Sequence, residues 1–427
     1  MASNLRCPEK SPVLCGKKTI SRGLCVPKEE DCHIRSDSFR NIPILEVNQL
    51  TARHGYKDGP ELGSHCYDTN DTIKRNYTNN YKDADVIPTK FSCLTYNVWG
   101  IARNEQYRTL FDLRLPLLKK TINDLDADIL CLQEISSFAY GKLQDIISKY
   151  KFVSEHFNDD VKHKERNRSV DVLVLSKYTP SSVHTFGLRG VLGYTNALIA
   201  IEFPNLLVFN LHNQAGSKSS PGQKDKWLHY SRCRYDILQS IHDLIKTTFN
   251  HMIDKQIIIC GDFNFHLDGT LDDWPEVEML NEFKRSGFID TYRNVNDDPG
   301  YTEDTNLNKM RWNQKLVERY YRFDAVLYKG PLQVKSSQLV GLSEECLSDD
   351  NSKWFIENLS DAKGGREGEL KTCGDNRLVI NPSDHFGVLT KFFRRVRSKR
   401  TRNNRTRTRT RKHNNGYNSG YNANNEK

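Results

Sequence analysis

No run of 18 apolar side chains occurs among the 427 residues, and the opening Met-Ala-Ser-Asn-Leu-Arg-Cys-Pro has no apolar core. Neither a membrane-spanning helix nor a secretory signal is expected. Hydrophobic residues make up only 37%, so part of the length is expected to build no core. Neither a Gly-rich phosphate loop nor a Ser or Cys nucleophile elbow appears, which argues against the chemistries those motifs carry. Acids are missing from one segment in particular: residues 394–412 hold eleven Lys or Arg and no Asp or Glu. Leaving out those eleven cations turns the net charge of +9 into −2. The basicity belongs to a C-terminal arm, and the rest of the chain does not announce its partner by net charge.

The eleven cysteines cannot all pair within one chain. Cys93, Cys131 and Cys260 lie in apolar runs, where a reduced thiol acts as a small hydrophobe, and Cys233, Cys346 and Cys373 are scattered. A reducing compartment, nucleus or cytoplasm, is the expected setting. Cys7, Cys15, Cys25, Cys32 and Cys66 fall in a polar segment, residues 1–90, with no lasting periodicity. Their spacing fits no common zinc signature, so a flexible or docking segment is expected ahead of a metal clip. The stretch from Cys7-Pro8 to Gly23-Leu24-Cys25-Val26 resembles the short two-cysteine adaptor repeats of large DNA viruses, which implies a viral source as one reading.

Residues 91–393 change in texture: short β-rich runs alternate with helical patterns, as in a layered α/β domain. Phe111, Leu115, Leu118, Ile122 and Leu125 recur at steps of three and four; so do Tyr230, Arg234, Ile237, Ile241 and Leu244, with Arg234 the polar exception. Pro116 predicts that the first helix kinks or begins there. Residues 343–378, acidic and Gly-bearing, read as a surface insertion. The Arg-Thr repeats and Asn-rich end, 394–427, read as a basic disordered tail.

Several apolar runs end alike. Phe91–Thr95 leads into Tyr96-Asn97-Val98-Trp99-Gly100, Ile129–Leu132 into Gln133-Glu134, Leu206–Phe209 into Asn210-Leu211-His212-Asn213, and Ile257–Cys260 into Gly261-Asp262-Phe263-Asn264. Arg322-Phe323-Asp324 opens one further strand, and Ser383-Asp384-His385 precedes another. In shared sheets these ends would collect Asn97, Glu134, His212, Asp262, Asn264, Asp324, Asp384 and His385 at one edge. Carboxylates, amides and imidazoles together suit metal-assisted attack of water on phosphorus: a hard divalent ion takes oxygen ligands such as Glu134, a held carboxylate accepts a proton, and a His steadied by an Asp stabilises phosphate oxygens. Taken singly, each has a plain alternative, since Asp-Phe-Asn is commonly a turn and Gln-Glu the exposed end of a strand. Their joint occurrence carries the reading.

In that order the motifs resemble the endonuclease/exonuclease/phosphatase superfamily over residues 91–393. The resemblance implies a four-layered α/β sandwich of two packed mixed β-sheets flanked by helices, and Mg²⁺- or Mn²⁺-dependent phosphoester hydrolysis. It makes Glu134 the principal metal ligand, with Asn97 beside it and Asp384 supporting the metal side. Asp262 would orient or deprotonate water and Asn264 hold a phosphate oxygen. His385 would stabilise the phosphate with Asp324 fixing its ring, and His212 would lie near the leaving oxygen. Arg322-Phe323-Asp324, Leu339–Leu342 and Ser383–Leu389 look most like the 5′-tyrosyl-DNA phosphodiesterase branch, and Phe288–Tyr292 fits its layout. Trp99-Gly100, Asn213-Gln214 and Tyr235 depart from that branch. Tyr96–Gly100 is closer to neutral sphingomyelinases, while Phe265-His266 sets the inositol-phosphate phosphatases aside. The implied protein is a metal-dependent phosphodiesterase acting on DNA ends, and a monomer. A deoxyribonuclease-type nuclease, a sphingomyelinase-like enzyme and a catalytically lapsed nucleic-acid-binding protein stand as alternatives. The arm would bind nucleic acid or serve as a nuclear-import signal, although an anionic membrane would attract it as well.

Overall fold

The structure, a computed structural model, describes residues 13–14, 25–26, 73–100, 109–154, 171–188, 196–216, 227–315, 317–362, 370–374 and 377–394. The expectations for Cys7, Cys15, Cys32 and Cys66 fall outside them, as does that for a disordered 394–427 tail except at Arg394, which is not in a tail but ends a strand and pairs with Leu332. Among the described residues no helix is long and apolar enough to cross a membrane.

The strands that build the two large sheets are β1 (Ile73–Asn80), β2 (Lys90–Gly100), β3 (Ile129–Ile135), β4 (Phe152–Val153), β5 (Asp171–Ser176), β6 (Ser182–Leu188) and β7 (Asn196–Phe203). They continue with β8 (Leu206–His212), β9 (Gln256–Asp262), β10 (Ile289–Asp290), β11 (Asp324–Lys329), β12 (Leu332–Val340) and β13 (Gly387–Arg394). One sheet runs β10-β11-β9-β8-β7-β6-β1, the other β12-β13-β2-β3-β5-β4. Each has one parallel pair, β8 with β9 and β2 with β3, among antiparallel neighbours. A parallel pair needs a crossover, and the helices α1 (Phe111–Leu125) and α2 (Trp227–Lys246) supply it. The edge strand β1 comes from within the polar 1–90 segment and pairs with β6. An edge strand can be polar, which is why periodicity did not reveal it.

Alternation along the strands sorts the layers. Phe91 and Cys93 of β2 and Ile129 and Cys131 of β3 face Val208, Ile258, Cys260 and Val326 of the other sheet, forming the inner core. Leu94, Tyr96, Leu130 and Leu132 point the other way, under Phe111, Leu118 and Ile122 of α1. Leu207, Phe209, Ile257 and Ile259 pack under Ile237, Ile241 and Ile245 of α2 and Met279 and Phe283 of α3 (Val277–Arg285). The result is four layers: helix, sheet, sheet, helix.

Towards one end the inner core turns polar. Gln133 Nε2 donates to Thr95 Oγ1 (3.0 Å) and, across the gap between the sheets, to Asn210 Oδ1 (2.7 Å). Asn210 Nδ2 in turn donates to the carbonyls of Leu132 and Leu173, each at 3.1 Å.

Two expectations change. The first helix begins at Phe111 and contains Pro116, rather than beginning at it; buried Phe111 and Leu118 hold it to the sheet against proline's local cost. Cys346 and Cys373, expected as free thiols, are disulfide-bonded to each other, whereas Cys93, Cys131 and Cys260 are free and buried. The acidic 343–378 stretch holds helix α5 (Asp349–Ala362) and contributes Leu347, Phe355 and Leu378 to a satellite core with Leu110, Met310 and Ile380. Met310 lies on α4 (Lys309–Lys315).

Candidate active site

The site lies just beyond the polar layer. His212, Asp262 and Asp324 stand side by side in register at the ends of β8, β9 and β11. Asn97 and Glu134 arrive from the facing sheet. Asn97 Nδ2 bridges the two sheets, donating to Glu134 Oε1 (3.2 Å) and Asp262 Oδ2 (3.0 Å). His212 Nε2 is 3.6 Å from Glu134 Oε1 and 3.9 Å from Asp262 Oδ2. Asp324 Oδ2 is 2.8 Å from His385 Nδ1, and Asp262, Asp324 and His385 offer atoms all within 4.8 Å of one another. Ser383 Oγ donates to the Asn97 carbonyl (2.7 Å), tying the Ser-Asp-His turn to β2. All eight residues singled out from the sequence therefore meet at one edge.

Their backbones explain how. At Gly261 φ is +143°, and an added Cβ would stand 1.8 Å from the Leu211 carbonyl oxygen, so only glycine lets β9 approach β8 there. Glu134 (φ 58°) and Asn264 (φ 57°) hold left-handed backbone conformations without being glycine. The Asn264 amide is engaged within the site, donating to the Asn213 carbonyl (2.9 Å) and Asp262 Oδ2 (3.2 Å).

Charges are unevenly matched. Burial and the neighbouring Asp384 push the Glu134 carboxyl up to about 7. Burial and the Asp324 charge push Asp262 up to about 8. Burial alone would lower His385, but contact with Asp324 outweighs it, helped by Asp262 and Asp384, and raises it well above the ordinary value. His385 is therefore a cation whose Nδ1 is engaged. His212, lowered by burial to about 3, is neutral, and both its ring nitrogens lack a hydrogen-bond partner.

Arg311, Glu303 and Arg319 belong to no motif recognised in the sequence. Arg311 Nη1 contacts Asp384 Oδ2 at 2.5 Å and its Nη2 contacts Glu303 Oε1 at 2.6 Å; Arg319 reaches the same Glu303 oxygen at 3.2 Å. Nothing in local spacing marks these pairs, which the fold assembles from separate elements. Arg234, the polar exception in the α2 pattern, is buried because it pairs at 2.5 Å with the equally buried Glu276 and also binds the Gln214 carbonyl (3.0 Å).

The Endonuclease/Exonuclease/phosphatase family profile matches residues 94–385. The chain belongs to this family. Its members are phosphodiesterases and nucleases, hydrolases acting on ester bonds, and generally use divalent metals. Among solved structures, SmcL is similar at 15% identity and a TM-score of 0.50, over 72% of this chain and 100% of its own, a likeness of fold. Truncated Caenorhabditis elegans TDP2 matches at 16% identity and a TM-score of 0.46, over 71% of this chain and 98% of its own. Staphylococcus aureus beta toxin 275–280 matches at 17% and 0.47, over 71% and 100%. No curated protein sequence matches.

A divalent cation fits the residues present. Asp324 has His385 as its cation, and Asp384 and Glu303 have Arg311. Among the described residues, Glu134 and Asp262 have only neutral His212 within ion-pair distance, and the Glu134 Oε2 and Asp324 Oδ1 atoms are buried without a hydrogen-bond partner. Half-buried Glu134 and buried Asp262, both raised by their surroundings, form with the adjacent Asn97 amide the oxygen-rich donor set that a hard cation prefers.

Proposed function

We propose that the protein is a Mg²⁺- or Mn²⁺-dependent phosphodiesterase acting on DNA ends, hydrolysing a 5′-phosphotyrosyl bond to leave a 5′-phosphate. The observation that carries the phosphodiesterase part is the close pair of carboxylates, half-buried Glu134 and buried Asp262, joined by Asn97 and faced by the His385–Asp324 pair. Glu134, Asn97 and Asp384 are the residues assigned to the metal, which when bound neutralises charge on the phosphate and the leaving oxygen. Asp262, its Oδ2 held by the Asn97 and Asn264 amides and its Oδ1 by the Asn264 N–H (2.7 Å), orients the attacking water and takes its proton. His385, protonated and fixed through Nδ1, donates from Nε2 to a phosphate oxygen. Asn264 would exchange one internal hydrogen bond for a phosphate oxygen.

The tyrosyl end is supported by the resemblance of Arg322-Phe323-Asp324, Leu339–Leu342 and Ser383–Leu389 to the 5′-tyrosyl-DNA phosphodiesterase branch. A phenolate leaves with a pKa of about 10 and needs little protonation, which suits a neutral, unpartnered His212. The basic arm, residues 394–427, would hold nucleic acid through counterion release. The test is a substrate panel with Mg²⁺ and with chelator: 5′-tyrosyl DNA, abasic DNA, plain duplex, polyadenylate and sphingomyelin. Fastest turnover of tyrosyl DNA is expected, with His212→Ala losing little. A duplex cut faster, with His212 indispensable, makes the enzyme a deoxyribonuclease-type endonuclease; turnover of sphingomyelin alone removes the DNA reading.

A further inference from the structure

We propose that Arg311 is a positioning residue for the phosphodiesterase reaction and that the 343–378 segment holds it there, so that part of the site is set by the satellite core outside the two sheets. The proposal rests on the phosphodiesterase reading above. Arg311 reaches Asp384 with one nitrogen and Glu303 with two, at 2.6 and 2.7 Å. Glu303 is fully buried, so its position is fixed and fixes Arg311 in turn. Asp384 adjoins His385 and adds to the charge felt by Glu134. Arg311 therefore sets both where the Asp384 carboxylate points and how much negative charge the metal side carries.

The helix bearing Arg311 cannot hold itself. It has seven residues, well below the length at which a helix is stable alone. Asn308 caps it, accepting from Arg311 N (2.8 Å) and donating to the Ser383 carbonyl (2.8 Å). Asn381 Oδ1 accepts from Lys309 N (2.9 Å), and its amide donates to the Ser343 carbonyl (3.0 Å). Met310, one residue before Arg311, is fully buried against Leu347, Phe355 and Leu378. Asn313 exchanges two hydrogen bonds with the backbone of Lys371, two residues before the bonded Cys373. The segment thus grips α4 through Met310 and Asn313 while Arg311 reaches the site.

The experiment uses the full chain and compares Arg311→Met, Arg311→Lys, Phe355→Leu and the double variant Arg311→Met/Phe355→Leu. Turnover of bis(p-nitrophenyl) phosphate and Mn²⁺ affinity by electron paramagnetic resonance are both measured. Arg311→Met is expected to lower kcat on the order of tenfold to a hundredfold with KM little changed, while Mn²⁺ binds on the order of tenfold tighter because a cation beside the carboxylates is gone. Arg311→Lys should restore the Mn²⁺ affinity and part of kcat. Phe355→Leu should lower kcat, and the double variant should be no worse than Arg311→Met alone. A general loss of structure would weaken metal binding and turnover together and overturn the assignment. Unchanged kcat and Mn²⁺ affinity in Arg311→Met would do the same, and multiplying effects in the double variant would detach the segment from Arg311. Wild type that binds Mn²⁺ but hydrolyses no phosphodiester would overturn the function instead, with the Mn²⁺ shift still reporting on Arg311.

Discussion

The two β-α-β units, β2-α1-β3 and β8-α2-β9, have the same topology and lie in facing sheets, yet they deliver their polar ends differently. The β8–β9 register is unbroken from Leu206↔Gln256 to His212↔Asp262, so plain alternation puts both polar residues on the inner face. The β2–β3 register slips between Asn97 and Gly100, where β2 carries one residue more than β3. Glu134 shares the parity of Leu130 and Leu132, which face α1, and should point outward; the bulge and its left-handed backbone turn it to meet Asn97. Trp99, with the parity of Asn97, is turned the other way and packs on the satellite core. The regular unit gives positions by pattern, and the irregular unit gives the one carboxylate that pattern would have sent to the wrong face.

Breaking the irregular unit at its chemistry should have the largest effect. Glu134→Gln keeps shape and loses charge, and should lower turnover by roughly a thousandfold or more while weakening Mn²⁺ binding; full turnover, in the variant or in excess chelator, would remove the metal assignment. Breaking the regular unit at its backbone comes next. Gly261→Ala forces a Cβ into the Leu211 carbonyl and should cost on the order of 3 kcal/mol in urea unfolding, whereas Gly141→Ala, with nothing within 4 Å of its Cβ, should be neutral or stabilising. Asp324→Asn should lower kcat by roughly tenfold to a hundredfold with little change in KM; a raised KM at normal kcat would make Asp324 a binding residue.

The smallest expected effect is one of pH, away from both units. Arg311 and Arg319 hold the buried Glu303 carboxyl down at about 2 against the burial that would raise it. Its folded value lies below its unfolded value, so its stabilisation is complete above the ordinary carboxylate range and is lost as pH falls from about 4.5 towards 2. Melting temperatures of Glu303→Gln against wild type should converge across that window, and parallel curves would show that the ion pairs do not titrate as a unit.

The layered α/β texture and the clustering of the eight residues could be read from the sequence because alternation and strand-end polarity are local properties, whereas the two facing sheets were implied by the family resemblance of the motifs. Gln133 and Asn210 stood inside recognised motifs, but their bond to each other depends on how the sheets face, which no local pattern states. Arg311, Glu303 and Arg319 were silent for the same reason. The disulfide between Cys346 and Cys373 is likewise a product of tertiary proximity, since 27 residues separate the pair. Strand β1 was missed because its sequence, Ile73–Asn80, is polar apart from Ile73 and Tyr77, which are too far apart to set a period of two.

The bonds that Gln133 and Asn210 make across the gap bear on how the molecule resists shear. Apolar faces attract without direction, so directional bonds add a fixed reference between the two sheets that burial alone does not supply. Directional bonds from Asn210 to strands β3 and β5, and from Gln133 back to Asn210, act as a rivet just beneath the catalytic edge. The spacing between Glu134 on one sheet and Asp262 on the other is then held from below as well as by the Asn97 amide at the edge.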